Sequence, residues 1–181
     1  MLPWVFTENG QETTVAKCPA VTAVKGMVTI LLPKARLICL DEAKVTGVWM
    51  RDMGKKLPSG TAFPDDRSLV ALGKKLGVDY VMVGNCAWRM QSPWVERGPN
   101  SKVECAVSVR IVNVKTGVEA YKNTASTNSS RKEAPLTITR DMQISSMVIN
   151  SGPKTPRMGL TGGFAAAKAL NPWVSKFAGK K

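Results

Sequence analysis

The chain has 181 residues, of which 44% are hydrophobic and 22% are charged, and its 26 Lys and Arg outnumber its 13 Asp and Glu. This length and apolar content fit one ordinary domain with a buried core and argue against disorder. Histidine is absent, which excludes a Ser-His-Asp triad, a Cys-His dyad, a His-ligated zinc ion and a histidine proton shuttle. The composition therefore favours a binding or assembly module over an enzyme.

The first forty residues predict two strands with a helix between them. Residues 2–7 have the pattern of a short strand that ends in an Asn-Gly turn at 9–10. Apolar residues at three- and four-residue steps predict a helix over 18–32, and Pro33 is expected to stop it. The compact apolar run 36–40 predicts a second strand.

Two helices with N-cap signals come next. Asp41 precedes a helical apolar stripe that ends at Gly54. Asp65 or Asp66 precedes a second stripe, which Gly77 closes. Because a carboxylate at the start of a helix accepts orphan backbone N–H groups and complements the helix dipole, capping explains both paired carboxylates without a catalytic role.

Three further strand patterns follow. Residues 78–88 have aliphatic side chains on both faces, which predicts a central strand. Residues 91–102 predict a hairpin loop, and 103–111 alternate apolar and polar residues as a half-buried antiparallel strand does. A tight turn at 115–117 lets residues 118–125 pair back on that strand.

The C-terminal part of the chain predicts two helices joined by a link. The first helix spans 130–150, and the Gly- and Pro-rich stretch 151–163 is expected to be a flexible hinge. In the last helix, Pro172 is expected to kink or restart the chain. The apolar stripe of this helix consists of Leu170, Trp173, Val174 and Phe177.

The order of these elements predicts an α/β (α+β) sandwich of two or three layers. Its mixed, mostly antiparallel sheet is expected to have about five strands, with helices packed on it. We expect a sandwich domain over 1–150 and a basic helical segment over 151–181. This segment is either part of the same domain or an arm that reaches a neighbour.

The excess of basic residues indicates either an anionic partner or a solvated basic tail at the C-terminus. The net charge of +13 attracts nucleic acid, anionic lipid or an acidic protein. Evidence for nucleic acid is weak, because the lysine pairs at 55–56 and 74–75 lie at predicted helix C-termini, where cations are expected in any helix. No acidic residue follows Asp141, whereas six basic residues do: Lys154, Arg157, Lys168, Lys176, Lys180 and Lys181.

The four cysteines do not form a metal or redox motif. Cys18, Cys39, Cys86 and Cys105 contain no C-x-x-C spacing. An even number of cysteines allows three disulfide pairings, and buried thiols are the other possibility. Each cysteine lies within an apolar run, which favours buried thiols.

Signatures of catalysis, cofactor binding and membrane insertion are missing from the sequence. There is no Walker A loop, and the glycine cluster 159–163 lacks the preceding strand of a dinucleotide-binding loop. Asp79 lies at the start of a predicted strand, but no second catalytic side chain at a suitable spacing supports it as a general base. No run reaches 18 apolar residues, and residues 1–6 lack a signal-peptide pattern. We expect no enzyme activity, cofactor, metal or small-molecule substrate.

One part of the chain resembles a bacterial envelope superfamily. Residues 72–84, Leu-Gly-Lys-Lys-Leu-Gly-Val-Asp-Tyr-Val-Met-Val-Gly, are similar to its G-x-x-L-G-A-D-Y-V stretch. Residues 109–117 are similar to its R-L-V-D-V-x-T-G strand and turn, 38–41 to its V-V-D-R strand end, and 1–6 to its opening strand. The superfamily includes the curli-secretion (CsgG) family, the N-terminal domain of periplasmic TolB and the LpoB-like lipoprotein activators of penicillin-binding proteins.

The resemblance implies a CsgG-like or TolB-like fold and a non-enzymatic protein of the periplasm or of the periplasmic face of the outer membrane. Such a module is expected to bind other envelope proteins or to self-associate. The resemblance gives residues 72–84 a fold-determining role and transfers no ligand site. The loop 91–102 is too short for the long hairpins of curli-type pores, so we expect no pore. The alternative function is binding to nucleic acid or another anionic surface.

The partner-binding candidates lie in the C-terminal segment. The apolar face of the last helix docks either on the sheet of its own domain or on a neighbouring protein. The candidate residues are Trp173, Val174, Lys176, Phe177 and Lys180.

Overall fold

The structure, a computed structural model, describes residues 4–8, 10–12, 20–34, 39–59, 62–90, 103–128 and 155–178. The predicted loop 91–102, the predicted helix 130–150 and most of the predicted strand 36–40 lie outside these stretches. The predicted domain boundary at 150 therefore stays a prediction.

Within these stretches the chain forms five strands and four α-helices. The strands are β1 (Val5–Glu8), β2 (Gln11–Glu12), β3 (Tyr80–Met90), β4 (Val103–Asn113) and β5 (Glu119–Asn128). The helices are α1 (Ala20–Lys34), α2 (Glu42–Gly47), α3 (Asp66–Leu76) and α4 (Thr155–Ala178). A π-helical turn, Val48–Asp52, directly continues α2.

The strands form one mixed sheet in the order β2-β1-β3-β4-β5. β1 is parallel to β3, and the other neighbouring strands are antiparallel. Gly10, with φ of 84°, lies in the tight turn between β1 and β2. β3 is the middle strand, which confirms the prediction for residues 78–88, and it pairs with β4 from Tyr80↔Asn113 to Met90↔Val103.

Helices cover both faces of the sheet. One face packs against α1 and α4 in a core cluster that includes Val28, Trp88, Val107 and Leu170. The opposite face packs against α2, the π-helical turn and α3 in a second cluster that includes Val45, Trp49, Leu72 and Val81. The predicted α/β sandwich is therefore confirmed, and it has three layers.

The two predicted N-caps differ. The Asp65 carboxylate accepts the Ser68 N–H at 2.8 Å and the Ser68 hydroxyl at 2.7 Å, so it caps α3 as predicted. Asp41 precedes α2, but its side chain makes no capping hydrogen bond, and the capping prediction is wrong for this residue. Because Asp41 is exposed, water can solvate its carboxylate and the first N–H groups of α2. The next residue, Glu42, pairs with Lys25 of α1 at 3.0 Å.

The last helix is longer than predicted. α4 begins at Thr155 and includes the glycine cluster 159–163, so the prediction of a flexible hinge is wrong for this stretch. A Cβ atom on Gly162 would lie 2.9 Å from Cγ2 of Val24 and 3.1 Å from Cζ2 of Trp88. Gly162 therefore allows α4 to approach α1 and β3 closely, and close packing rather than flexibility explains this glycine.

Candidate functional site

The segment 72–84, which carries the superfamily resemblance, connects α3 to the middle of the sheet. Gly77 has φ of 65°, and the N–H groups of Gly77 and Val78 bond to carbonyls in the last turns of α3. This Schellman arrangement satisfies carbonyls that the end of a helix leaves without donors. The carbonyl of Asp79 then accepts the Val114 N–H at 2.9 Å, which joins the start of β3 to the end of β4.

Two other glycines of the segment allow close approach between elements. A Cβ atom on Gly73 would overlap Cγ2 of Val114 and lie 3.0 Å from Cγ2 of Val81. A Cβ atom on Gly84 would lie 2.6 Å from Cζ2 of the buried Trp4. Gly73 therefore brings α3 against one face of the sheet, while Gly84 makes room for an aromatic ring on the other. These contacts agree with the fold-determining role expected for the segment.

Arg110 of β4 joins three parts of the molecule. Its Nε donates to Oε2 of Glu119 at 2.7 Å, its Nη1 donates to the Pro64 carbonyl at 3.3 Å, and its Nη2 pairs with Asp66. The Arg110 side chain is only 17% exposed, so these bonds are partly shielded from water. The arginine thus links the first turn of α3, the loop before it and the start of β5.

Glu119 can reach Arg110 because the β4–β5 pairing is irregular. The register places Tyr121 opposite Ile111 but Glu119 opposite Val112, which leaves one extra residue in β5. A bulge of this kind turns the preceding side chain to the other face of the sheet. Strict alternation would place Glu119 and Tyr121 on the same face, so the sequence pattern did not predict the Arg110–Glu119 pair.

Trp173 of α4 is buried against two tyrosines of the sheet. Its ring centroid lies 5.9 Å from that of Tyr80, in an edge-to-face arrangement, and 6.4 Å from that of Tyr121. Val174 is buried in the same core cluster. The described apolar face of α4 therefore docks on the sheet of its own domain, which is one of the two alternatives that the sequence left open.

Pro172 disturbs the hydrogen bonding of α4, and β5 supplies donors to the preceding turn. Proline has no N–H, so the carbonyl of Lys168, one residue before Ala169, loses its helical donor. The carbonyl of Ala169 accepts Nδ2 of Asn123 at 3.1 Å and the hydroxyl of Tyr121. Burial raises the pKa of the Tyr121 hydroxyl, which keeps it protonated as a donor. α4 passes through Pro172 as one helix.

The exposed side of α4 is polar and basic. Lys176 is exposed, whereas the side chain of Phe177 and all of Lys180 lie outside the described part of the chain. Exposed residues recur at three- and four-residue steps, which places them on one side of the helix. We call this set the α4 stripe: Lys168, Asn171, Pro172, Ser175 and Lys176.

The cysteines have two environments. Cys86 and Cys105 are fully buried, with their Sγ atoms 3.3 Å apart. Cys39 is exposed, so the prediction of a buried thiol is wrong for this residue. Apolar neighbours in sequence do not by themselves bury a side chain, because burial depends on which elements pack over it. Cys18 lies outside the described residues.

A metal centre or a catalytic cluster is not evident in the part of the chain that the structure describes. No group of three Cys, Asp or Glu side chains in these stretches is placed to hold a metal ion. Asp79 is exposed at the start of β3. None of the described helices combines the length and apolar character needed to span a membrane.

The fold of this chain is similar to that of a solved structure. No protein-family model matches the chain, and its sequence matches no curated protein. The structure is similar to that of the hypothetical protein CT253 from Chlamydia trachomatis, with 11% identity, a TM-score of 0.52, and coverage of 99% of this chain and 98% of the other. It is also similar to lipoprotein GNA1162 from Neisseria meningitidis, with 14% identity, a TM-score of 0.38, and coverage of 81% and 90%. The similarity to CT253 shows a shared fold.

Proposed function

We propose that this chain is a non-enzymatic module of the bacterial cell envelope, facing the periplasm, that binds an acidic protein partner. The observation that carries the proposal is the geometry of residues 72–84. The segment that resembles the CsgG, TolB and LpoB-like superfamily builds the helix end and the middle strand through Gly73, Gly77 and Gly84. Sequence resemblance and structural role therefore coincide in these residues, which supports membership of the superfamily and its compartment.

The partner surface in this proposal is the α4 stripe. Trp173 and Val174 are buried, so they hold α4 on the sheet, and the exposed lysines are left to make contacts. Lys168 and Lys176 are two helical turns apart, about 12 Å along one side of the helix. The whole range 155–178 contains no acidic residue. An acidic surface complements this stripe, whereas a second copy in a two-fold contact would bring like charges together.

A crosslinking experiment in the source bacterium tests this surface. A photoreactive amino acid replaces Asn171, in the middle of the stripe, and adducts are identified by mass spectrometry. The charge-reversing pair Lys168→Glu and Lys176→Glu changes the stripe. The matched control, Lys74→Glu and Lys115→Glu, changes the net charge by the same amount at exposed positions outside α4.

The proposal predicts an adduct with an acidic envelope protein that is lost in the stripe variant and retained in the control variant. The interaction should also weaken as salt is raised, because exposed charges are screened. An adduct that both variants weaken equally, or that neither affects, contradicts the α4 stripe as the contact. An adduct with a second copy of the chain would replace the acidic partner by self-association.

The net charge of +13 favours one alternative, a protein that binds nucleic acid or another anionic surface. This alternative predicts that duplex DNA is shifted in electrophoresis at ~50 mM salt and is released steeply as salt increases. The envelope proposal predicts no shift under these conditions.

A further inference from the structure

The two buried thiols of the sheet suggest a covalent link between its central strands. Cys86 lies on β3 and Cys105 on β4, and both face the core that α1 and α4 cover. The register pairs Cys86 with Val107 and Cys105 with Trp88, so the two cysteines are diagonal neighbours on adjacent strands. Their Sγ atoms are 3.3 Å apart, and both residues have no exposed surface.

We propose that Cys86 and Cys105 form a cross-strand disulfide when the protein folds in the presence of a disulfide oxidant. A disulfide has its sulfurs about 2.05 Å apart, so each Sγ has to move by only about 0.6 Å from its position in the structure. The same spacing in the reduced protein fits a weak S–H···S contact between thiols. Among the described cysteines, Cys39 is exposed and Cys86 and Cys105 are buried together, which selects one pairing from those the sequence allows.

The chemistry is thiol–disulfide exchange. The thiolate of one cysteine attacks the oxidant disulfide, which forms a mixed disulfide and releases one oxidant thiol. The second cysteine thiolate then attacks the protein sulfur of the mixed disulfide, which forms the Cys86–Cys105 bond and releases the second oxidant thiol. The two cysteines lose two electrons and two protons in total, and the oxidant disulfide gains the electrons.

The full burial of both sulfurs determines when this reaction takes place. A thiolate must reach the oxidant, and neither sulfur is accessible in the folded protein. The bond therefore forms during folding, while the β3–β4 hairpin is still open to solvent. In the cell this step needs an oxidising compartment, so its occurrence there rests on the proposed envelope location.

The sequence offers a direct assay, because trypsin places each cysteine on a separate peptide. These peptides are 18–25, 37–44, 76–89 and 103–110. The full-length chain is reduced, unfolded in urea and refolded in a buffer of reduced and oxidised glutathione. Remaining thiols are then alkylated, and the non-reduced digest is read by mass spectrometry.

The expected result is a linked pair of peptides 76–89 and 103–110. Cys105→Ala should lose the bond. The matched control is Cys39→Ser, which should keep it because Cys39 is exposed whereas Cys86 and Cys105 are buried. Closing a loop of about 20 residues should also raise the Tm of the wild-type protein by about 5–10 °C relative to a sample that is reduced while unfolded and then refolded in dithiothreitol. These two wild-type measurements stand even if Cys105→Ala fails to fold.

Alkylation of both peptides after refolding, glutathione attached separately to each, or linkage of either peptide to 18–25 or 37–44 overturns the pairing. The assay supplies its own oxidant, so its outcome does not depend on the compartment. A cytoplasmic location would contradict the proposed function and leave the refolding result unchanged, and a failed refolding result would leave the envelope proposal unchanged.

Discussion

Substitution of Gly73 by alanine tests whether α3 is held at close approach to the sheet. The new Cβ would overlap Cγ2 of Val114 and crowd Cγ2 of Val81. Valine is stiff about χ1 and Val114 is buried, so its methyl groups cannot swing into solvent. Either α3 or the end of β4 has to move.

Two opposing contributions determine how much Gly73→Ala changes the free energy of unfolding. Overpacking of a filled core costs about 1–3 kcal/mol. Alanine in place of glycine inside a helix stabilises it by about 0.5–1 kcal/mol. We therefore expect Gly73→Ala to be destabilised overall, in spite of its better helix propensity.

Gly26 of α1 provides the matched control, because it is helical and a Cβ atom there would meet nothing within 4 Å. Gly26→Ala should therefore be stabilised by the higher helix propensity of alanine, with no overpacking to offset it. The difference between the two variants in urea unfolding should be about 1–3 kcal/mol, or roughly 0.5–1.5 M in midpoint at a slope of about 2 kcal/mol/M. Adding Val114→Ala should relieve the overlap, so the double variant should lose less stability than the sum of the two single variants. Equal stability of Gly73→Ala and Gly26→Ala would refute the close approach.

Two further substitutions test other contacts of α3. Arg110→Met should lower the free energy of unfolding by about 1–2 kcal/mol, because the charged hydrogen bonds of Arg110 are lost. The loss is limited because the carboxylates of Asp66 and Glu119 are partly solvated. The exposed control Arg67→Met should stay within about 0.5 kcal/mol of wild type. Hydrogen bonds from Ser68 hold the pKa of Asp65 below its ordinary value of 3.8, so its contribution is complete above pH 3.8 and is lost as pH falls through the folded-state pKa. The difference in free energy of unfolding between wild type and Asp65→Asn should therefore be constant near neutral pH. In acid, wild type should lose stability relative to Asp65→Asn. A difference that stays constant down to pH 2 would contradict the capping role of the Asp65 carboxylate.

The sequence predicts the elements whose signals are local. The start of α3 at Asp65, its end at Gly77 and the buried middle strand over 78–88 depend on capping chemistry, a left-handed glycine and an apolar run, all within a few residues. These signals require no knowledge of distant partners.

The features that the sequence did not predict depend on distant contacts. The glycine cluster 159–163 is helical, because Gly162 lies against Val24 and Trp88, which are far away in the chain. Packing of this kind outweighs the low helix propensity of glycine, about 1 kcal/mol per residue. The Arg110–Glu119 pair depends on a bulge in the β4–β5 register.

In the candidate site, too, the sequence predicts local features and not those that depend on distant contacts. The sequence shows the helical stripe that contains Trp173 and Val174. It does not show that this stripe packs on the sheet of the same chain, because that contact depends on Tyr80 and Tyr121, which are distant in sequence. The pairing of Cys86 with Cys105 likewise appears only once the register of β3 and β4 is known.

The proposed envelope location is tested most directly by labelling Cys39 in living cells of the organism that encodes the chain. Cys39 is exposed, whereas Cys86 and Cys105 are fully buried, so Cys39 is the described thiol that a polar reagent can reach in the folded protein. Cells that carry a Cys18→Ser variant, with the outer membrane permeabilised and the inner membrane intact, are treated with a membrane-impermeant maleimide. We predict labelling of this protein and its loss when Cys39→Ser is added; labelling that appears only after the inner membrane is lysed would contradict a protein that faces the periplasm.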